Sequence, residues 1–240
     1  MNKPTYKELL DAGVHFGHLK KKWNPKMSPY IFMERKGIHI IDLNRTSECL
    51  ERAAHAMRQL AKSGKKVMFV ATKKQARDIV AEAAKSVGMP YVTERWLGGM
   101  MTNFNTVRRS VKKMQNIERM LGDGTLTSVT KKERLTLTRE RDKLDKVLGG
   151  VANLNRLPAA IFVVDIEHEG IAVAEAQRLG IRTFGIVDTN ADPNRVDYPI
   201  PGNDDASKSV KIITEYLVNA IREGLEERKQ TKPEKEESAN

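Results

Sequence analysis

The sequence predicts an α/β domain in which helices cover both faces of a parallel sheet. Short, almost wholly apolar segments recur along the chain, and amphipathic helical patterns separate them. A strand buried on both faces has this continuous apolar character, whereas a half-exposed strand alternates. Five such segments predict a doubly wound, five-stranded parallel sheet. The predicted strands are residues 38–41, 67–71, 89–92, 161–164 and 183–187.

The predicted helices begin and end at recognisable signals. A capping box at residues 5–8 and a glycine at position 13 predict a short helix over 6–12. Residues 14–36 carry two prolines and many lysines, so we expect an irregular basic loop there. The remaining helices of the sheet domain are predicted at 45–63, 74–87, 170–179 and 206–223.

Residues 104–149 interrupt this rhythm and predict a helical hairpin. Apolar residues from Val107 to Leu121 form one helical stripe. A glycine-rich turn at 122–124 follows, and a capping box at 130–133 begins a second helix. Both stripes are narrow, so we expect a protruding antiparallel coiled coil. The predicted organisation is a discontinuous α/β domain (1–103 and 150–225), an inserted hairpin (104–149) and a disordered charged tail (226–240).

The charge of the chain points to a polyanionic partner. Its 240 residues contain 42 Lys and Arg against 31 Asp and Glu, a net charge of +11. Residues 1–50 and 101–150 hold most of this excess, so the charge is local. The single cysteine, Cys49, excludes a disulfide framework and a multi-cysteine zinc finger. Without a signal peptide or a long apolar run, we expect a cytoplasmic protein with no membrane partner.

Two segments place basic residues beside aromatic ones, a pattern typical of RNA contact. Residues 20–26, continued by Arg35 and Lys36, form the first, and residues 94–104 form the second. Cations neutralise phosphates and aromatic rings stack on unpaired bases. The alternative is that each tryptophan plugs the edge of the sheet while the cations are solvated. The candidate RNA-binding residues here are Lys20, Lys21, Lys22, Trp23, Lys26, Arg35, Lys36, Arg95, Trp96 and Asn103.

The first hairpin helix adds a second group of candidate RNA contacts. Its cations are as compatible with a solvated helix face as with phosphate binding. We keep both interpretations for Arg108, Arg109, Lys112 and Lys113.

The motifs of the common enzyme classes are absent from the sequence. No Gly-x-Gly-x-x-Gly turn follows a predicted strand, and Ser63-Gly64-Lys65-Lys66 lacks the first glycine and the final hydroxyl of a phosphate-binding loop. No nucleophile elbow or zinc-protease helix occurs. We therefore expect no enzyme activity, no required cofactor and no small-molecule substrate. Two rivals stay open: a nucleotide-dependent enzyme acting on RNA, and a pure protein-docking module.

An acidic cluster gives a candidate metal site. Asp188 follows the last predicted strand, and Asp204 and Asp205 precede the last predicted helix. These positions lie near the carboxyl ends of strands, where such folds bind ligands. Their oxygens suit a divalent metal ion. The favoured alternative is that Asp204 or Asp205 caps the helix, and for His15 and His18 a structural or RNA-contact role is favoured over metal binding.

Seven motifs occur in a fixed order along the chain. They are His15-Phe16-Gly17-His18, Trp23-Asn24-Pro25-Lys26-Met27, Ile38-His39-Ile40-Ile41-Asp42-Leu43, Arg95-Trp96-Leu97-Gly98-Gly99-Met100, Leu157-Pro158-Ala159-Ala160, Val187-Asp188-Thr189-Asn190 and Pro201-Gly202-Asn203-Asp204-Asp205-Ala206. With them, residues 5–225 resemble the bacterial S-two family of small-subunit ribosomal proteins.

The resemblance implies a flavodoxin-like sheet with a protruding helical hairpin and no nucleotide site in use. It implies a structural protein of the small ribosomal subunit, on the solvent side near the junction of head and body. Such a protein binds ribosomal RNA, joins late in assembly, contacts neighbouring proteins and helps dock the ribosomal protein S-one. The RNA-contact role carries over to residues 20–26 and 95–104, which match family motifs.

Overall fold

The structure is a computed structural model that describes residues 3–122 and 130–237, with side chains described as far as residue 230. The strands are β1 (Phe16–Leu19), β2 (Ile31–Arg35), β3 (Ile38–Ile41), β4 (Val67–Val70), β5 (Tyr91–Val92), β6 (Ala160–Val164), β7 (Arg182–Val187) and β8 (Tyr198–Pro201). The helices are α1 (Tyr6–Asp11), α2 (Leu43–Lys62), α3 (Arg77–Ser86), α4 (Phe104–Gly122), α5 (Lys131–Leu148), α6 (Gly170–Arg178) and α7 (Ser207–Glu237).

Five parallel strands form the main sheet, in the order β5-β4-β6-β7-β8. The chain begins this sheet in β4, moves outward to β5, and then crosses to β6 on the other side. This is the strand order of flavodoxin-like folds. The predicted fold class, an α/β protein with a five-stranded parallel sheet, is confirmed.

The membership of the sheet differs from the prediction at one strand. Residues 38–41 pair in a separate antiparallel sheet, ordered β1-β3-β2, which lies within and just after the predicted irregular loop 14–36. The fifth strand of the main sheet is β8 instead. Its Pro199 and Pro201 interrupt the apolar pattern, so the sequence did not predict a strand there. Proline lacks the N–H that a central strand must donate, so β8 is tolerated because it is an edge strand.

Helices cover both faces of the main sheet, and alternate strand residues serve the two sides. Phe162 of β6 belongs to the core layer that includes residues of α2, α3 and α7, whereas its neighbour Ile161 belongs to the layer that includes residues of α4, α5 and α6. Helices α2 and α7 approach so closely that glycine is needed at position 224, where a Cβ would lie 2.4 Å from the carbonyl oxygen of Arg58. The core therefore has two layers, one on each face.

The helices α4 and α5 lie where the hairpin was predicted, and they pack together. Val111, Met114 and Ile117 of the predicted stripe are buried. Thr130 caps α5 by accepting a bond from the N–H of Glu133 at 3.4 Å. From residue 123 onward the predicted turn lies outside the described residues. The coiled coil and the division into domain and hairpin stay predictions.

The last helix continues beyond residue 225, where we expected a disordered tail to begin. Leu225 packs against the core, and Glu227 pairs with Arg58 and, at 3.0 Å, with Lys62. These contacts hold the start of the predicted tail against α2, so that boundary is corrected. Within the described part of the chain, no helix has both the length and the apolar character needed to cross a bilayer.

Candidate nucleic-acid interface

Thr189 fixes the first basic segment to the carboxyl edge of the main sheet. Its Oγ1 accepts a hydrogen bond from the N–H of His18 at 2.8 Å, and its carbonyl accepts one from Asn24 at 2.7 Å. Gly17 is required beside it, because a Cβ there would lie 2.5 Å from the Thr189 methyl carbon. The segment 20–26 is thus held by the residues that follow β7, although they are distant in sequence.

The cations of this segment point to solvent. Two of them are balanced by acids: Lys20 pairs with Glu34 at 2.7 Å, and Lys26 pairs with Asp192 at 2.5 Å. The others lie more than 4.0 Å from every carboxylate of the described residues, and all are exposed. These exposed cations are Lys21, Lys22, Arg35 and Lys36.

A tight hairpin presents Arg35 and Lys36. Lys36 and Gly37 have φ values of +53° and +76°, and they connect β2 directly to β3. Two positive φ values in a two-residue loop indicate a type I′ turn. Sequence reasoning missed this hairpin, because Lys-Gly is a weaker turn signal than Asn-Gly or Asp-Gly.

Trp23 keeps an accessible ring beside these cations. Its side chain is 37% exposed, and it packs at a tilt on His39 with the ring centroids 5.1 Å apart. One face of the indole is thereby supported while part of the ring remains open to a base. The role predicted for Trp23 remains compatible with its position.

Glu175 of α6 organises the second predicted segment. Its Oε1 accepts bonds from the Trp96 indole N–H at 3.1 Å and the Gly99 N–H at 2.8 Å. Its Oε2 accepts bonds from the N–H groups of Met101 and Thr102, both at 2.9 Å, and from the Thr102 hydroxyl at 3.0 Å. Burial would raise the pKa of Glu175, but these donors outweigh it, and the net shift is downward.

The structure corrects the role of Trp96. Its ring is only 8% exposed and packs in the core, so it has no free face for a base. The alternative that the tryptophan plugs the sheet holds for this residue. Arg95 and Asn103 remain exposed at the two ends of the segment. Asn103 also accepts a bond from the Thr106 hydroxyl at 2.9 Å, which ties it to the start of α4.

The hairpin cations fall into three groups. Arg108 has a structural role, because its guanidinium donates to the carbonyls of Ala152 and Leu154 at 3.3 and 2.9 Å; its RNA contact stays a prediction. Lys113 pairs with Glu140. Two cations, Arg109 and Lys112, are exposed and lie more than 4.0 Å from any carboxylate of the described residues.

The predicted acidic cluster does assemble at the carboxyl edge of the sheet, but around a lysine. The Lys73 ammonium lies 2.6 Å from Asp165, 2.7 Å from Asp204 and 2.7 Å from Asp205. Burial lowers the pKa of Lys73, but these carboxylates outweigh it and raise the pKa above its ordinary value. Lys73 therefore remains charged.

His18 joins the same cluster from β1. Its Nδ1 lies 3.0 Å from Asp188, and its Nε2 lies 3.4 Å from Asp205. The bond to Asp188 raises the pKa of His18 despite its partial burial. Burial, with the nearby charges of Asp165 and Asp188, raises the pKa of Asp204 to about 7, although Lys73 acts in the opposite direction.

This arrangement corrects the metal hypothesis for Asp188, Asp204 and Asp205. Asp204 and Asp205 bind the Lys73 ammonium, and Asp188 pairs with His18, so all three carboxylates already have partners within the protein. Among the described residues, no group of three or more His, Cys, Asp or Glu side chains could hold a metal ion. Lys73 and Asp165 follow β4 and β6, the strands between which this fold usually binds ligands. An internal ion pair therefore fills that crevice.

Sequence reasoning missed the three residues that organise the site. Lys73 lies three residues after the end of the buried strand β4, so its location near the ligand-binding edge of the sheet was a usable signal. Glu175 is a buried acid on an otherwise apolar helix face, which was also detectable. Thr189 carried no local signal, because its role depends on contact with a segment 171 positions away.

The fold and this edge define a class: a basic α/β protein with a filled ligand crevice and exposed cations and Trp23 around it. A family model described as "Ribosomal protein S2" matches residues 9–224, and the chain belongs to that family. The predicted resemblance is thereby confirmed, and the family is one of ribosomal proteins rather than enzymes.

Curated relatives cover nearly the whole chain. The "Small ribosomal subunit protein uS2" of Cytophaga hutchinsonii is 61% identical over 230 residues, which is 96% of this chain and 91% of the relative. The proteins of the same name from Bacteroides thetaiotaomicron and Porphyromonas gingivalis are 60% and 58% identical, over 97% of this chain and 84% and 83% of theirs.

Proposed function

We propose that this chain is a structural constituent of the small ribosomal subunit that binds its ribosomal RNA and supports translation in the cytoplasm. Family membership supports the assignment to the ribosome. The observation that carries RNA binding is the exposed surface formed by Trp23 and the cations Lys21, Lys22, Arg35 and Lys36, which we call the edge surface. We further propose, from the family resemblance, a position on the solvent side at the junction of head and body, and late entry into assembly.

The edge surface binds RNA through phosphate neutralisation on a rigid support. Its cations lack carboxylate partners within the described residues, so phosphates replace water rather than an existing ion pair. Trp23 contributes one partly open ring for stacking. The main sheet and Thr189 hold the segment in place, which lowers the entropic cost of binding.

We expect the double variant Lys21→Ala, Lys22→Ala to weaken binding of small-subunit ribosomal RNA in a salt-dependent manner. Each lost phosphate contact lowers the slope of log affinity against log salt by roughly 0.7–0.9. The variant Lys7→Ala, Lys211→Ala removes two exposed cations elsewhere and serves as the control. A slope equal to that of the unchanged chain would rule out phosphate contact at the edge surface.

We propose that the outward face of the small antiparallel sheet helps dock the protein S-one. Register pairs Phe16 and Met33 with Ile40, so the three side chains share one face. Phe16 and Met33 are each 48% exposed. His39 alternates with Ile40 and faces Trp23 on the opposite side. Met33 and Ile40 offer neither charge nor a stacking face to RNA, and together with Phe16 they form an apolar patch, so this face favours a protein partner with apolar side chains.

For this docking face we expect the double variant Phe16→Ser, Met33→Ser to lose S-one while retaining RNA binding. Co-sedimentation of purified S-one with reconstituted small subunits measures the first effect, and the RNA titration measures the second. Leu135→Ser changes another exposed apolar residue, on α5, and serves as the control. Undiminished S-one on subunits containing the double variant would contradict the docking assignment.

A further inference from the structure

The amino-terminal edge of the main sheet carries an open cleft, opposite the edge surface. The cleft has a volume of about 920 Å³ and lies where three neighbouring strands begin. Lys66 precedes β4, Pro90 precedes β5 and Ala159 precedes β6, and all three line it. It is thus separated from the candidate site by the length of the sheet.

The lining of this cleft is strongly basic. It contains Lys65, Lys66, Lys85 and Arg156, and no Asp or Glu. All four are exposed, and none lies within 4.0 Å of a carboxylate of the described residues. Acids are available nearby, because Lys62 on the preceding turn pairs with Glu227 at 3.0 Å. The four cations of the cleft therefore repel one another without an internal counter-ion.

Four glycines line the cleft beside apolar side chains, which are those of Met89, Pro90, Tyr91, Leu154 and Leu157. Gly64 and Gly88 end α2 and α3 with φ values of +70° and +61°, and Gly149 and Gly150 follow α5. A Cβ at Gly150 would lie 2.2 Å from the carbonyl oxygen of Tyr91, so glycine is required for the two segments to meet. Lys66 donates one bond to the Gly88 carbonyl at 2.7 Å and keeps its remaining donors.

We propose that this cleft binds a second segment of the ribosomal RNA backbone through its phosphates. The inference rests on the proposed function, because it adds a contact to an RNA-binding ribosomal protein. Four exposed cations without a carboxylate partner among the described residues fit the closely spaced phosphates of a nucleic-acid backbone. With contacts on both edges of one rigid sheet, the protein joins two RNA segments on opposite sides of its domain.

The test removes three cations whose side chains make no hydrogen bond or ion pair within the described residues; the Lys85 ammonium lies 5.3 Å from the centroid of the Tyr91 ring. We expect Lys65→Gln, Lys85→Gln, Arg156→Gln to lower the salt slope for small-subunit ribosomal RNA by roughly 0.7–0.9 per lost contact. The control, Lys7→Gln, Arg178→Gln, Lys211→Gln, removes the same number and types of exposed cations, none of which lines the cleft. Equal slopes for the triple variant and the unchanged chain would overturn the proposal. In that case, a lowered salt slope in the Lys21→Ala, Lys22→Ala variant would show that the edge surface still binds RNA. The proposed function would then hold without a contribution from the cleft.

A cross-link identifies what occupies the cleft. Arg156→Cys is labelled with a photoreactive group, assembled into small subunits and irradiated. Cross-linking to ribosomal RNA is the expected result. Cross-linking to protein alone would overturn the proposal in favour of a protein partner, and so would an absence of any cross-link in subunits shown to contain the labelled chain.

Discussion

Replacing Lys73 by methionine should destabilise the domain by about 3–5 kcal/mol, which is the usual result of removing one partner from a buried charge cluster. Lys73 is the common partner of Asp165, Asp204 and Asp205. Methionine nearly conserves the length of the side chain but leaves carboxylates without their cation, two of them almost fully buried. Denaturant unfolding at pH 8 measures the loss.

The loss of stability in the Lys73→Met variant should depend on pH, in a direction set by the pKa of Asp204. Without Lys73 the pKa of Asp204, already about 7, rises further above its unfolded value. A folded-state pKa that is raised favours the native protein below the unfolded pKa, and that advantage disappears as pH rises. The variant should therefore lose less stability at pH 5 than at pH 8.

Two further variants serve as references for Lys73. Lys74→Met changes the exposed neighbour and should alter stability by no more than about 0.5 kcal/mol. Adding Asp204→Asn to Lys73→Met should restore part of the loss, because it removes one unpaired charge. Equal stability of the Lys73→Met and Lys74→Met proteins would show that the cluster does not hold the fold.

The variant Glu175→Gln should loosen residues 95–104 at a cost of about 3 kcal/mol. A carboxylate accepts the bonds of Trp96, Gly99, Met101 and Thr102 with two oxygens, whereas an amide offers one oxygen and directs an NH₂ group toward donors. Hydrogen bonds to a charged group contribute about 1.5–3 kcal/mol each, and the amide retains some of them.

Hydrogen exchange separates a local opening from general destabilisation. The amides of Gly99, Met101 and Thr102 should exchange faster in Glu175→Gln, while amides in β6 keep the protection set by global unfolding. In the unchanged chain the lowered pKa of Glu175 gives stability above its unfolded pKa, lost as pH falls through the folded value. The variant should lack this acid dependence. Glu226→Gln, on an exposed part of α7, is the control; unchanged protection in Glu175→Gln would contradict the role.

Local apolar character predicted which segments form strands, but not which sheet each strand joins. Four apolar segments entered the parallel sheet because burial on both faces demands continuous apolar character. Residues 38–41 have the same character but lie in another sheet, because pairing partners are a long-range property. The edge strand β8 contains Pro199 and Pro201, and no local pattern distinguishes it from a loop.

The sequence predicted which residues form the candidate site, but not which of their side chains are accessible. The cations of 20–26 and 35–36 are exposed, as basic residues usually are. The two tryptophans look alike in sequence, yet Trp23 is partly open and Trp96 is buried. The difference lies in Glu175, an acceptor on another helix 79 positions away from Trp96. Arg108 likewise became structural because the carbonyls after α5 meet its guanidinium.

The sequence by itself determined the fold class, the concentration of positive charge in particular segments, and the family through its ordered motifs. Those properties depend on composition, periodicity and short spacings, which are local. Only the tertiary structure decided that the Lys73 ammonium pairs with the acidic cluster, that Trp96 is buried, and that Arg108 bonds to backbone carbonyls. Only the folded structure shows that the four cations of the cleft, which lack carboxylate partners among the described residues, lie together. Charge balance and burial depend on distances between segments far apart in the chain, and those distances exist only in the folded protein.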